Sequence, residues 1–503
     1  MYTPKKVQEL LFTRRKDLTF QKRFLIAYIV LFQYSWGTIT LLSDKYNVSR
    51  QFIYDNTKYF SIFLKPEELK PKKTSKEEAA IFMLTARMES RSSISGTSNL
   101  MKHLDLPYNS IGSISEMLTK IGKDIGSNLN IESLDGFTFS ICSDEIFAKQ
   151  KPILITLCPI SLLILKIELS DNRKEETWVS HFQGIKKQNL SLSQITNDEG
   201  VGMKSAVNQE LSDIERQSDT FHAVAHRLGV FVDRFFKIAY KKLDLLQHFE
   251  TQFDKAKTDN TRIKYMEKAI SLYEEADKAV ELYENFEIIY HWLLESFQVF
   301  NKTGKLKEEK NVRLDFDIAL EYLKELNNKE INKEIKSIEN CKSDLFTFYK
   351  TAKEKVDLLT QTIDIKILNL LCLSWQVNKN RIKTKNKHRK NKLKRREKYI
   401  LTQVEKLIGS QEYEKNKEIV YLTLNYIIQS SAAVECINSI LRYYLNSSNN
   451  KVTQEFLNLF MFYHNHRRFK NGERKGKTPM EIATNSVQKM DWKELLLQKV
   501  KLN

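Results

Sequence analysis

The sequence predicts a multidomain α/β protein that also contains a large all-helical part. Residues 136–225 alternate short apolar runs, rich in β-branched residues, with turn signals, which is typical of strands. No proline occurs between Pro159 and Pro479, and Gly304 is the only glycine from residue 230 to 400. Because both residues are costly inside helices, so long a stretch without them indicates helices.

The net charge indicates the chemical class of the partner, and the cysteines indicate the redox state of the compartment. The formal net charge of +18 favours a polyanionic partner such as DNA, RNA or an anionic membrane surface. The five cysteines are scattered and form no C-x-x-C pair, so they indicate neither a zinc ribbon nor a disulfide framework. We therefore expect a reducing compartment.

One segment near the N-terminus has the length of a membrane span. Residues 24–42 carry no charge over 19 positions. Gln33, Ser35, Gly37 and Thr38 make the second half of this segment polar, however. We therefore expect no membrane span and no membrane partner.

A helix-turn-helix DNA-binding unit is predicted in residues 1–70. A short amphipathic helix at 37–46 is followed by a turn at 47–49 and by a second helix from residue 50. In such a unit the second helix lies in a DNA groove. The side chains that it would present to the groove are Arg50, Gln51 and Tyr54.

A second helical unit, helix-turn-helix-like, is predicted in residues 71–130. Its helices are expected at 96–104 and 110–121, on either side of a turn that contains Pro107. Ordinary helical hairpins remain the alternative for both N-terminal units.

Residues 131–225 are predicted to form a mixed sheet with its flanking helices. Three consecutive strands followed by a helix, a strand and a helix is an α/β order. The elements are strands at 137–142, 153–158, 162–169 and 192–196, a brief strand before Asp219, and helices at 178–187 and 201–211.

Two aspartates follow apolar strands in matched settings. Asp144 and Asp198 are each the first carboxylate after such a run, and functional groups gather at the carboxyl ends of strands in open sheets. Glu145 and Glu199 adjoin them and are alternative ligands, since side-chain alternation lets only one of each pair face a pocket. A strand-terminal aspartate is otherwise a cap or turn former.

A third carboxylate, Glu435, lies on a predicted helix. Val434, Ile437, Leu441 and Tyr444 would form its buried stripe. Two strand-end carboxylates and a helix glutamate can hold a pair of Mg²⁺ ions that act on a phosphodiester. A surface glutamate is the alternative. The residues that share a face with Glu435 by helical spacing are Ser431, Asn438 and Arg442.

Residues 226–400 are predicted to be helical and charged. An apolar seam from Met266 to Tyr283, with Ile270 and Tyr273 in it, is suited to a helical hairpin or a coiled coil. Trp292 and Trp375 are expected either to stack on a base or to pack in a core.

A basic run at 381–398 contains a single acid, Glu397, and is expected to bind phosphates. A solvated charge run is the alternative. The basic residues that we select are Lys387, Arg389, Lys390, Lys394, Arg395 and Arg396.

These segments, in this order, resemble the DDE transposases of bacterial insertion sequences. Residues 143–147 (SDEIF) resemble the first-aspartate strand of that family, and 197–203 (NDEGVGM) resemble its D-x-G-x-G turn. Residues 218–222 (SDTFH) are similar to a C/D-x-x-H element, and 433–442 (AVECINSILR) look like the third-acid helix. The tail is similar at 463–468 (YHNHRR) and 476–479 (GKTP).

The resemblance implies a ribonuclease H-like catalytic core in two parts, 131–225 and 401–485. An α-helical insertion at 226–400 would separate them, and 486–503 would be a C-terminal tail. The long step from Asp198 to Glu435 departs from compact integrases and leaves the subfamily open.

The resemblance also implies roles for individual residues. Asp144, Asp198 and Glu435 would be the catalytic ligands of two Mg²⁺ or Mn²⁺ ions. Asp219 and His222 would support the site, as would Asn438 and Arg442, and Asp219 is the reserve choice for the second aspartate. Arg467 and Arg468 would contact DNA.

The implied activity is DNA transposition. The protein would bind double-stranded element ends, nick them by Mg²⁺-dependent hydrolysis and transfer the 3′-OH ends to target DNA. We expect a homodimer or higher oligomer on DNA, in a bacterial cytoplasm and associated with the nucleoid. A structure-specific nuclease on the same fold and a non-catalytic DNA-binding regulator are the alternatives.

Overall fold

The computed structural model describes residues 17–64, 75–127, 129, 137–198 and 200–500. They divide into two compact units. The first comprises the described residues up to Ala80 together with Leu104–Tyr108, and the second comprises Ile81–His103 and the chain from Asn109 onward. Glu199, one of the alternative ligands, lies outside the described residues.

Three helices dominate the first unit. Gly37, in the middle of the uncharged segment, adopts a left-handed conformation (φ 92°) and interrupts the helical path. The side chain of Ser49 accepts a hydrogen bond from the Phe52 backbone at the start of the third helix. No helix among the described residues is long and apolar enough to cross a membrane. The helices are α1 (Phe20–Phe32), α2 (Thr38–Tyr46) and α3 (Arg50–Leu64), with Ile26, Ile39, Leu42 and Ile53 in their core.

Two helices of the predicted second unit pack within the same compact unit as the sheet, and a third is divided between the two units. Gly122 lies so close to a later helix that a Cβ there would be 2.1 Å from the Glu455 carbonyl oxygen. The Asn458 side chain also donates a hydrogen bond to the Gly122 carbonyl (3.0 Å). The helices of this part are α4 (Lys76–Leu84), α5 (Ile94–His103) and α6 (Ile111–Ile125).

The predicted mixed sheet is confirmed, in the order β3-β2-β1-β4-β5. β2 runs antiparallel to both β1 and β3, whereas β1, β4 and β5 are mutually parallel. The elements are β1 (Thr138–Ala148), β2 (Lys151–Leu157), β3 (Ile164–Leu169), α7 (Glu175–Lys186), β4 (Ser191–Asn197), α8 (Val201–Glu210) and β5 (Glu215–Ser218).

Strand β1 is longer than predicted, which corrects the setting of Asp144. The prediction ended the strand at Cys142, but β1 continues to Ala148 as a hairpin with β2, and Asp144 lies inside it opposite Ile155. Its pairing with β4, however, stops at Cys142. Polar residues are tolerated in this extension because it pairs only with β2 and its other edge is no longer paired with β4.

The helical insertion has its own apolar core, which includes Phe286, Phe316, Phe346 and Trp375. Trp375 is therefore a core residue, and its indole donates to the Asn425 side chain (3.0 Å). The helices are α9 (Arg227–Lys255), α10 (Asp259–Ser296), α11 (Glu309–Glu325), α12 (Lys329–Glu339), α13 (Phe348–Thr360), α14 (Ile365–Lys383), α15 (Lys387–Ile408) and α16 (Ser410–Leu424).

The apolar seam predicted on α10 is only partly buried. Ala276 is buried, but Ile270 and Tyr273 are 60% and 61% exposed. The reason is that α10 contacts α9 through a neighbouring face, which contains Tyr265 and Phe286.

The C-terminal segment contributes four helices. The predicted stripe of Val434, Ile437, Leu441 and Tyr444 is buried, which confirms the orientation expected for the Glu435 helix. The helices are α17 (Ala432–Ser447), α18 (Gln454–His466), α19 (Pro479–Thr484) and α20 (Trp492–Lys499).

Candidate functional site

The register of the parallel strands aligns three aspartates. Cys142 and Thr196 form the last pair between β1 and β4, and Asp144 and Asp198 each follow that pair by two residues. Asn197 pairs with Ser218, which sets Asp219 level with Asp198. Because residues at the same level of parallel strands point to the same face, the three side chains begin on one face of the sheet.

Asp144 is the half-buried member of this row, on β1. Burial raises the pKa of Asp144 to about 8, and the negative charges of Asp198, Glu145 and Glu435 add to that rise. Its Oδ1 accepts a hydrogen bond from the Glu145 backbone (2.8 Å), and its Oδ2 accepts one from the Asn438 side chain (3.4 Å). The site therefore concentrates negative charge around a half-buried carboxyl group.

Asp198 lies at the turn between β4 and α8. Its Oδ1 accepts a hydrogen bond from the Gly200 backbone (2.9 Å). Glu145 forms an ion pair with Arg173 (2.5 Å), although burial, together with the charge of Asp198, still raises the pKa of Glu145. Arg173 thus takes up one of the surplus negative charges beside Asp198.

Asp219 is fully engaged in hydrogen bonds. Its Oδ1 accepts from the backbones of Phe221 (2.7 Å) and His222 (3.0 Å). Its Oδ2 accepts from the backbone (2.8 Å) and the hydroxyl (2.6 Å) of Ser431. Asp219 therefore ties the end of β5 to the start of α17, and binding a metal as the second aspartate would require it to release these donors.

The predicted polar face of α17 divides into two parts. Ser431 and Asn438 are buried towards the sheet, where they contact Asp219 and Asp144. Glu435, in the first turn, and Arg442 are exposed. Asn438 Oδ1 is buried and has no hydrogen-bond partner among the described residues.

His222 lies at the edge of this region. It follows Asp219 in a π-helical turn and is half-buried beside Phe221, with ring centroids 5.2 Å apart. His226 is 6.1 Å away on the same turn. The structure therefore places His222 near the aspartate row through the backbone that Asp219 binds.

The chemistry of the donors suits a hard divalent cation. Within the described ranges, no three His, Cys, Asp or Glu side chains are placed to hold a metal ion together. The electrostatic contacts of Asp144 nevertheless make Asp198 and Glu435 its neighbours. Carboxylate oxygens are the ligands that Mg²⁺ prefers, and a cation would offset the repulsion that raises the Asp144 pKa.

Predicted DNA-contacting residues of the first unit are exposed on α3. Arg50, Gln51 and Tyr54 all face solvent, although the Gln51 amide donates to Asp55 (3.0 Å). Asn47, in a left-handed conformation, makes the turn before this helix.

Most of the basic run, residues 387–398, forms the first half of helix α15, and its first three residues end α14. Glu397, its single acid, binds Arg381 (2.8 Å) and Asn378 (2.8 Å) of α14 and is thus used to join the two helices. Lys387, Arg389, Lys390, Lys394, Arg395 and Arg396 are exposed, and none forms an ion pair with another described residue.

The two arginines of the tail have local partners. Arg468 donates to both oxygens of Glu481 (2.8 and 3.0 Å) and to the Gly476 carbonyl, so it holds the start of α19. Arg467 is half-buried over the ring of Tyr463. Neither is a free surface cation like those of α15.

Sequence reasoning missed a polar network behind Asp144. Ser143 contacts the Thr156 hydroxyl (2.8 Å), which contacts His181 (3.0 Å), and His181 contacts Glu168 (3.0 Å). Burial lowers the pKa of His181, and Lys166 forms an ion pair with Glu168 (3.0 Å). Polar residues inside otherwise apolar strands were the available signal.

No protein-family model matches the sequence, and no curated protein matches it. Among solved structures, the chain is similar to a chain of the Drosophila P element transposase strand transfer complex. The TM-score is 0.24 and the identity 12%, over 87% of this chain and 95% of that chain. A likeness of this size carries no argument about fold or activity.

Proposed function

We propose that the chain is a DDE transposase that nicks the ends of a mobile DNA element and transfers their 3′-OH ends to target DNA. Two observations support the proposal: Asp144 and Asp198 each follow the last β1–β4 pair by two residues, and the charges of Asp198 and Glu435 act on Asp144. A mixed sheet followed by a helical insertion and then by the Glu435 helix supports a ribonuclease H-like core.

Each residue of the site has a distinct task in this proposal. Asp144, Asp198 and Glu435 would hold two Mg²⁺ or Mn²⁺ ions, which activate a water or a 3′-hydroxyl and stabilise the leaving oxygen. Asn438 orients Asp144 by its hydrogen bond. Asp219 fixes the N-terminus of α17 and is a positioning residue. Glu435 is exposed and therefore free to turn towards the other two carboxylates.

DNA would contact two surfaces of the protein. The exposed cations of α15 would neutralise backbone phosphates, a contact that weakens as salt rises. Arg50, Gln51 and Tyr54 of α3 would read bases in a groove. Truncating an α15 cation should then weaken binding to all sequences equally, whereas changing Arg50 should relax sequence preference.

Strand cleavage tests the proposal. Labelled duplexes from both flanks of the reading frame are incubated with the full chain and Mg²⁺ or Mn²⁺, and denaturing gels resolve cut and joined products. Asp144→Asn and Glu435→Gln should each lower cleavage by at least about two orders of magnitude, because each removes a metal ligand. DNA affinity should change little.

The matched control is Glu176→Gln, an exposed acid in the first turn of α7, which should cleave like the unmodified chain. Full activity in either site variant would remove that residue from the site. Cleavage without joining would assign a nuclease instead, and binding without cleavage would assign a regulator.

A further inference from the structure

On one side of the α9–α10 hairpin, six large apolar side chains face solvent. They lie at helical spacing on each helix, so each helix has an exposed apolar stripe beside its buried one. Their exposed fractions run from 44% to 63%. The residues are Phe236, Tyr240 and Leu243 of α9 and Met266, Ile270 and Tyr273 of α10; we call them the hairpin face.

Both stripes lie on the same side of the hairpin. Phe235 and Ala239 of α9 are buried, as is Ala276 of α10, and Tyr265 of α10 contacts Phe249 of α9. Each hairpin-face residue follows by one position either a residue of this contact surface or a position three, four or seven residues from one. One position along a helix turns the side chain by about 100° about the helix axis. In an antiparallel pair this rotation turns both stripes to the same side. The ring of Phe236 agrees with this placement, because its centroid lies 5.6 Å from that of Tyr283 on α10.

The hairpin face is large enough to form an interface. A half-exposed large side chain leaves about 100 Å² accessible, so the six offer on the order of 600 Å². A soluble monomer seldom exposes a larger apolar patch than this. Two such faces together would bury about 1,200 Å², which is the lower end of the range for specific protein interfaces.

Charge around the hairpin face excludes nucleic acid as its partner. The charged residues one turn away are five acids and two bases, in a chain whose net charge is +18. DNA and anionic membranes would both be repelled by this border. The charged neighbours are Asp233, Lys237, Asp244, Arg262, Glu267, Glu274 and Asp277.

We propose that the hairpin face pairs with the same face of a second copy of this chain, so that two helical hairpins form a four-helix bundle. Apolar stripes on adjacent antiparallel helices are the pattern from which such bundles are built. The acidic borders of the two copies repel each other, so added salt should strengthen the dimer. This interaction does not depend on the proposed function.

Sedimentation equilibrium of the full chain, freed of nucleic acid, tests the inference. The unmodified chain should have twice the mass of one chain at micromolar concentration, in moderate and in high salt. Ile270→Glu places a charge in the centre of the face and should raise the dimer dissociation constant at least a hundredfold.

Ile288→Glu is the matched control, because Ile288 is 66% exposed on the same helix but lies outside the face. It should dimerise like the unmodified chain, and both variants should keep its helical circular dichroism spectrum. A monomeric unmodified chain, or equal dimerisation of both variants, would overturn the inference. Asp144→Asn should remain dimeric, so a failure of the proposed catalytic site is distinguishable from a failure of the interface.

Discussion

Asp144 shows how a single residue combines stability and chemistry. Its carboxyl group is half-buried among three other carboxylates, and Arg173 brings a compensating charge to one of them, Glu145. Ionising it costs free energy, since burial and like charges both favour the neutral form. A bound cation would remove most of that cost, which is the physical reason to regard this residue as a ligand rather than as a structural acid.

The stability of the Asp144→Asn variant follows from this reasoning. The pKa rises from the ordinary 3.8 to about 8 in the folded chain, so the contribution of Asp144 to wild-type stability falls as pH rises between those values. Asparagine does not ionise. In EDTA, the variant should therefore gain stability relative to wild type from about pH 4 and level off above pH 8, at roughly 1–3 kcal/mol.

Urea unfolding at a series of pH values, with and without Mg²⁺, measures this difference. Mg²⁺ should stabilise the wild-type chain at pH 8 and leave Asp144→Asn unchanged. A variant that is less stable than wild type at pH 8 in EDTA would show that Asp144 has a compensating partner.

At the scale of elements, the position at which each strand ends determines which side chains lie close together. The sequence located all five strands, but it placed Asp144 after β1 because polar residues Ser143, Asp144 and Glu145 usually end a strand. The hairpin with β2 keeps them in the strand. The alignment of Asp144 with Asp198 depends on register, which pattern alone does not specify for parallel strands joined by long connections.

The N-terminus of helix α17 is held by a buried contact, the double hydrogen bond from Ser431 to Asp219. Ser431→Ala removes the hydroxyl donor to a buried carboxylate and should destabilise the fold by about 1.5–3 kcal/mol. Chemical denaturation measures the loss. Ser439→Ala, an exposed serine on the same helix, should cost less than about 0.5 kcal/mol. Equal costs for the two would show that the contact to Asp219 does not hold the helix.

At the scale of the whole molecule, the sequence did not predict which distant segments contact each other. Helix α18 packs against α6 and β3, whose sequence positions lie about three hundred residues earlier. Residues 457–466 of α18 are all buried, so both faces of this helix are covered. Periodicity predicts an amphipathic helix or a buried one, but it does not say which earlier segment will cover it.

The buried histidines of α18 should therefore control acid stability. Burial lowers the pKa of His464 to about 3 and that of His466 to about 4, and nearby cations contribute to both. Below the ordinary value of 6.5, the unfolded chain binds protons that the folded chain refuses, so stability is lost as pH falls from 6.5 towards 4.

Each histidine should contribute up to about 1.4 kcal/mol per pH unit in that range. His466→Gln does not titrate and should reduce the slope of unfolding free energy against pH by about that amount. His248→Gln, at an exposed position on α9, should leave the slope unchanged. Protonation of His464 would place a proton and a charge on its buried Nδ1, which has no hydrogen-bond partner among the described residues, while Nε2 still donates to the Leu162 carbonyl ahead of β3. The cost of burying that charge should unfold the second unit as a whole. A pH-independent stability between 6.5 and 4 would contradict this account.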